Sequence, residues 1–118
     1  MNFAEIGVDI ERVERFKGRT LENDAHFLKS IFTDSELEYS FSDNHFAQHL
    51  CARFCAKEAV IKTLNNMKNA DIQYKDIEVL NNKDGSPYIN IKKLKKSTFK
   101  ISLSHTSEYA VAFAIRME

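Results

Sequence analysis

One proline, three glycines, two cysteines and no tryptophan occur in 118 residues, and each shortage removes a class of function. Gly7, Gly18 and Gly85 stand far apart, so neither a phosphate-cradling P-loop nor a dinucleotide fingerprint can be assembled. No Gly-x-Ser-x-Gly elbow marks a serine hydrolase. Cys51 and Cys55 lie four apart in a helical stretch, where they share a face but cannot comfortably bridge. Lacking further metal ligands at suitable spacing, they read as reduced core thiols of a cytosolic protein. No apolar run approaches the ~18 residues of a bilayer span. Met1-Asn2-Phe3-Ala4-Glu5 puts no basic segment before an apolar one, so a secretory signal is not expected. Lys and Arg together number 17, as do Asp and Glu; a general nucleic-acid binder carries a basic excess instead.

What is present fits one soluble domain over residues 1–118, with 43% apolar and 29% charged residues and enough chain to bury a core. The expected fold class is α+β: an antiparallel sheet with a long central helix and shorter helices. Residues 3–10 alternate as a strand, with Ile6, Val8 and Ile10 on one face and Gly7 and Asp9 on the other. Gly7 reads as open space beside the Asp9 carboxylate, although a bulge gives the same pattern. A short helix over Glu11–Lys17 stops at Gly18, with Arg12 and Arg15 on one face and Arg19 extending the row. A second helix spans Leu21–Ile31. Thr33-Asp34-Ser35-Glu36 is a capping box opening a third, to about Phe41. After the Ser42-Asp43-Asn44 turn, which offers another N-cap, the longest helix runs from about His45 to Leu64. Residues 65–75 are polar and irregular. Strands follow at Ile77–Leu80, Tyr88–Ile91, Phe99–Ser104 and Tyr109–Ile115, with a turn at Asp84-Gly85-Ser86-Pro87. In the last strand Ala110, Ala112 and Ala114 form a face that another element can approach closely.

The long helix is apolar nearly all round at its middle, yet it carries Arg53, Lys57, Glu58 and Lys62. Such charges are costly unless paired or given a ligand. Asp9 with Glu58 and Lys62 is the main candidate site. Glu58 and Lys62 are i,i+4, which suits an ordinary helix ion pair. Alternatively, two carboxylates from different elements plus phosphate oxygens suit Mg²⁺, with a lysine stabilising phosphate charge. His45 and His49 lack a third zinc ligand and read as surface helix residues. The lysines between Lys83 and Lys100 read either as a solvated face or as a surface attracting phosphate or an acidic partner.

Ile6-Gly7-Val8-Asp9-Ile10 with Glu14-Arg15-Phe16, Phe32-Thr33 with Glu36-Leu37, Arg53-Phe54-Cys55-Ala56-Lys57-Glu58-Ala59 with Lys62, Asp76-Ile77-Glu78-Val79 before Gly85-Ser86-Pro87, and Ser102-Leu103-Ser104-His105-Thr106 with Glu108-Tyr109-Ala110-Val111-Ala112 occur in this order. Together these segments resemble the holo-[acyl-carrier-protein] synthase family of 4′-phosphopantetheinyl transferases. The resemblance implies transfer of the phosphopantetheine arm of coenzyme A to a serine of apo acyl carrier protein, with release of adenosine 3′,5′-bisphosphate. Asp9 and Glu58 match its Mg²⁺ ligands. Glu58, directly or through a metal-bound water, matches the base, and Lys62 the group that neutralises or protonates the departing phosphate. Arg53 and His105 match phosphate contacts, Gly85 and Pro87 a turn shaping the nucleotide pocket, and Arg15 the basic face that docks the acidic carrier. The family further implies a cytoplasmic homotrimer with sites between subunits. Two departures are the glycine-free 65–70 stretch and Ser86, which stands where the family often has lysine. A non-catalytic module binding carriers or nucleotides, and a structural domain whose buried charges merely pair, are the rival readings.

Overall fold

The computed structural model describes residues 4–65, 67 and 71–118. The expectations for Phe3 at the strand start, and for Asn66 and residues 68–70 of the glycine-free stretch, lie outside the described residues. Strand β1 (Ala4–Arg12) is followed by helices α1 (Leu21–Ile31), α2 (Asp34–Ser40) and α3 (Phe46–Lys62), then by strands β2 (Glu78–Asn81), β3 (Pro87–Asn90), β4 (Thr98–His105) and β5 (Tyr109–Met117). One sheet has the antiparallel order β1-β5-β4; β2 and β3 form a separate antiparallel hairpin. The α+β class with a long central helix is therefore as expected.

The two faces of the larger sheet are sharply different. Ala110, Ala112 and Ala114 of β5 are buried, and α3 packs on them and on the Gly7 side of β1. Small side chains let a helix backbone approach a sheet closely. Gly7 takes this to its limit: a β-carbon there would stand 2.0 Å from the Ala59 carbonyl oxygen of α3. The expected open space beside Asp9 is filled by helix backbone, which corrects that reading. The opposite face leaves large apolar side chains exposed: Ile6, Val8, Ile10, Tyr109, Val111 and Phe113.

The short helix expected over Glu11–Lys17 is instead one 3₁₀ turn, Val13–Phe16. Glu11 and Arg12 continue β1 because they pair with Ala110 and Tyr109 of β5. The expected arginine row does not form. Arg12 lies over the Tyr109 ring, Arg15 over Phe54 and Arg19 over Phe27.

The capping box forms as expected, with Thr33 and Glu36 exchanging hydrogen bonds. Glu36 does more than cap. Its carboxylate is buried, 2.8 Å from the Lys57 ammonium, and accepts from the Val79 N–H at 2.8 Å. Lys57 also donates to the carbonyls of Tyr74 and Ile77, at 2.9 and 2.5 Å. One buried ion pair thus ties α2, α3 and the start of β2 together. Burial lowers the Lys57 pKa while the Glu36 charge opposes the shift. At the start of α3, Asp43 accepts from the His45 N–H and from His49, the surface role expected of these histidines.

Candidate functional site

Asp9 projects from the α3 side of β1, where Cys55, Glu58, Ala59 and Lys62 recur at helical spacing on the facing side of α3. The structure brings Asp9 and Lys62 together, with the ammonium 3.3 Å from Asp9 Oδ1 and donating to the Val8 carbonyl at 2.8 Å. The Cys55 thiol donates to the Asp9 carbonyl at 3.0 Å, fixing the backbone that carries the carboxylate. Asp9 Oδ2 is buried and receives no hydrogen bond from an N–H or O–H. A buried carboxylate oxygen without a partner is rare and needs a physical reason.

Glu58, one turn before Lys62, accepts a hydrogen bond from the Tyr74 hydroxyl. This bond and burial push the phenol up to about 12, because its anion would face a carboxylate. Glu11 completes the acidic group. It lies two residues beyond Asp9 on the same face of β1 and pairs with Arg15 at 3.5 Å. Its carboxyl is pushed up to about 7, first by burial and then by Asp9, with Glu58 adding a smaller push and Arg15 opposing. Asp9 and Glu11 can hydrogen-bond to each other only by sharing a proton. Asp9 and Glu58 therefore both act on Glu11, while Lys62 pairs with Asp9 and Arg15 with Glu11. Among the described residues, no three or more His, Cys, Asp or Glu side chains form a ready metal cage. A cation at this position would take part of its coordination from outside the chain.

The other expected site residues are dispersed. Arg53 is half a helical turn from Lys62 around α3 by periodicity. It is buried, with its guanidinium 4.0 Å from the centre of the Tyr39 ring and its Nε without a hydrogen-bond partner. Arg53 thus does not join the Asp9 group. His105 ends β4 and is exposed. It pairs with Ala110, which pairs on its other side with Glu11, so His105 shares the Asp9 face but stands two strands away, roughly 10 Å. Gly85, at φ +89°, and Pro87 shape the β2–β3 turn. Ser86 there donates to Asp84 at 2.6 Å. Arg15 remains half-exposed beside a hollow of about 440 Å³ lined by Ile10, Glu11, Arg12 and Glu14. Of the lysine-rich segment, Lys93 pairs with Asp76 at 3.1 Å, while Lys92, Lys95 and Lys96 border a larger hollow with Leu94.

Two members of the group escape sequence reasoning. Glu11 continues the Gly7-Asp9 alternation, a signal hidden by its assignment to a helix. Tyr74 lies in the stretch read as irregular, and nothing in its neighbourhood marks it.

A model of the 4′-phosphopantetheinyl transferase superfamily matches residues 5–114. The holo-[acyl-carrier-protein] synthase of Thermodesulfovibrio yellowstonii is 47% identical over 110 residues, covering 93% of this chain and 95% of that protein. The enzyme of the same name from Protochlamydia amoebophila is 38% identical over 115 residues, covering 93% and 94%. Among solved structures, a Bacillus anthracis holo-(acyl-carrier-protein) synthase in complex with CoA (3′,5′-ADP) has a TM-score of 0.80 and 26% identity, covering 97% of this chain and 96% of that one.

Proposed function

The chain belongs to the 4′-phosphopantetheinyl transferase superfamily, and from that premise we propose that it is a holo-[acyl-carrier-protein] synthase acting as one domain. It transfers the 4′-phosphopantetheine moiety of coenzyme A to a serine of apo acyl carrier protein and releases adenosine 3′,5′-bisphosphate, with Mg²⁺ as cofactor. The observation that carries this reading is the buried Asp9 Oδ2, which accepts from no N–H or hydroxyl donor, beside Lys62 and beside the Glu11 carboxyl on which Glu58 also acts.

The residues present fit magnesium. Their donors are hard carboxylate oxygens, and Mg²⁺ typically takes one or two carboxylates, substrate phosphates and waters rather than a full protein cage. Asp9 and Glu58 would hold it, and Asp9 Oδ2 would gain the partner it lacks. When bound, the ion neutralises charge on the coenzyme A diphosphate.

The chain's own residues account for the remaining chemistry. Glu58 accepts the proton of the carrier serine hydroxyl as its oxygen bonds to the β-phosphorus. The bond from that phosphorus to the bridging oxygen breaks, and the electron pair leaves on the phosphate of adenosine 3′,5′-bisphosphate. Lys62, half-exposed at the site edge, neutralises or protonates that phosphate. Positioning and charge neutralisation supply most of the catalysis in transfers of this kind. Arg15 presents its charge to the acidic carrier, whose approach is then salt-sensitive. Gly85 and Pro87 shape the turn beside the nucleotide. His105, too far from Asp9 to share its ligand atoms, suits a phosphate contact farther along coenzyme A. Burial of Arg53 beneath Tyr39 supports a packing role for it rather than the phosphate contact that the family resemblance implies.

The exposed sheet face supports self-association. Ile6 is 65%, Val8 54% and Ile10 63% exposed, and β5 extends the patch, a surface that monomers rarely leave in water. The family resemblance makes the assembly a homotrimer with sites between subunits, which light scattering in solution tests. Buried free thiols fit the cytoplasm, and no helix among the described residues is long and apolar enough to cross a membrane.

Incubation with coenzyme A, Mg²⁺ and apo carrier protein should add the mass of one phosphopantetheine to the carrier. Chelation, Asp9→Ala and Glu58→Ala should each remove the product while the fold survives. Full activity of either variant at limiting Mg²⁺ overturns the ligand assignment. Salt-sensitive carrier binding without a mass gain would leave a non-catalytic module.

A further inference from the structure

We propose that Tyr74 is a positioning residue that orients the Glu58 carboxylate for metal binding; this rests on the reading of Glu58 as a metal ligand. Three observations converge on it. The Tyr74 hydroxyl donates to Glu58 Oε1 and, among the described residues, is the only side-chain donor to that carboxylate. The Tyr74 ring packs against Phe54, with centroids 5.5 Å apart, so the phenol is braced by the helix that carries Glu58. The Tyr74 backbone is clamped as well: its carbonyl accepts from the Lys57 ammonium at 2.9 Å, and Lys57 is locked to Glu36 with both side chains at 0% exposure.

The sequence position of that clamp matters. Lys57 directly precedes Glu58 in α3. It reaches one way to hold the segment bearing Tyr74, and Tyr74 returns its hydroxyl to the neighbouring carboxylate. A glutamate at the edge of a helix otherwise samples several rotamers and loses that freedom when it binds a cation. A donor fixed to one carboxylate oxygen removes much of that cost beforehand and leaves the other oxygen to the ion. Partners of this kind around metal ligands typically change metal affinity by 10–100-fold when lost.

The test is Mn²⁺ binding, followed by electron paramagnetic resonance, to the protein loaded with coenzyme A but without carrier, so that no turnover intervenes. Tyr74→Phe keeps the ring and its contact with Phe54 and removes only the hydroxyl. The expected result is an Mn²⁺ dissociation constant raised roughly ten-fold or more, with an unchanged thermal unfolding midpoint in the metal-free protein. In steady state, the same variant should need more Mg²⁺ for half-maximal activity and recover most of its kcat at saturating Mg²⁺. Glu58→Gln separates the two ideas. If Glu58→Gln weakens Mn²⁺ binding and Tyr74→Phe leaves it at the wild-type value, the positioning role is wrong and the ligand reading stands. If neither variant changes Mn²⁺ binding, the ligand reading itself fails. An effect of Tyr74→Phe that persists undiminished in the Glu58→Gln background also overturns the proposal, because the hydroxyl would then act through another group.

Discussion

The Lys62 ammonium stands 3.3 Å from Asp9 Oδ1, within the acidic group proposed to receive a divalent cation. Among the described residues it is the positive charge nearest this carboxylate. On the proposed mechanism it would compete with an incoming cation for Asp9 and be released toward phosphate once the cation is bound. Two opposite effects follow from its removal. Lys62→Ala should lower kcat by about 100- to 1,000-fold, the usual loss when one group stabilising transition-state charge is deleted. Mn²⁺ affinity should be undiminished or improved. Metal titration beside the carrier-protein assay reads both numbers, and a variant that binds metal worse but turns over normally contradicts this account.

Glu36 and Lys57 make a second prediction, about folding rather than chemistry. Both are fully buried at a separation of 2.8 Å, and each has further hydrogen bonds to backbone. Removing one partner leaves an uncompensated charge in the core, which costs about 3–5 kcal/mol. Lys57→Met should therefore destabilise severely. Replacing both with methionine should cost clearly less than the two single losses added, since the pair is coupled. Urea unfolding of the two single variants and the double variant at fixed protein concentration measures the difference; additive losses would mean the charges do not depend on each other.

The sequence carries the helices well because their signals are local. The capping box at Thr33 and Glu36, and the span of α1, depend on residues within one or two turns. The antiparallel class and most strand positions follow from alternation for the same reason. The alanine face of β5 was legible as the one another element approaches, and α3 packs there. What could not be read is which face of β1 meets the helix, since one carries Ile6, Val8 and Ile10 and the other sets Gly7 among the charged Glu5, Asp9 and Glu11. Close approach favours the small residues, so the larger ones are left outside for another surface. The site was legible in part. Asp9, Glu58 and Lys62 stand out as charges in apolar settings, and Asp9 meets Lys62. Glu11 was masked because pairing with β5 extends the strand past the point where a helix was expected. The Lys57 partner was hidden because Glu36 is fully explained locally as a cap, and its second bond forms across the fold. Tyr74 acts through the tip of a side chain in a segment with no periodicity at all.

The two cysteines permit a prediction about reactivity. Both are buried and free. Burial pushes the Cys51 thiol up to about 11, and Cys55 is raised further in the same direction, first by burial and then by the nearby Asp9 charge. Since the thiolate is the reactive species, almost none is present at pH 8 in the folded protein. Ellman's reagent should therefore titrate both thiols at the rate of unfolding in native buffer, and at once in denaturant. In native buffer, raising the pH to 9 should accelerate the reaction far less than it does for a free thiol of ordinary pKa. Immediate native labelling would show that α3 opens from the sheet much more readily than its packing implies.

Gly7 gives the most direct test of how the site is held. Its φ is not among the positive values, which belong to Gly18 and Gly85, so its conformation alone would accept alanine. On those grounds Gly7→Ala should stabilise by about 0.4–1 kcal/mol by restricting the unfolded chain. The contact decides otherwise. The new β-carbon would lie 2.0 Å from the Ala59 carbonyl oxygen and 3.1 Å from Lys62 Cβ. The first of these is backbone and cannot swing aside. Overpacking of this kind costs about 1–3 kcal/mol, which exceeds the entropic gain. The expected result is a lower unfolding midpoint together with a loss of activity, since Ala59 lies between Glu58 and Lys62 and a shift of α3 moves both away from Asp9. Gly18→Ala is the control. At φ +75°, with nothing within 4 Å of the added carbon, it should cost about 1–2 kcal/mol in backbone strain and leave kcat alone. If Gly7→Ala proves as stable and as active as the parent, the contact between β1 and α3 does not set the geometry of the Asp9 group.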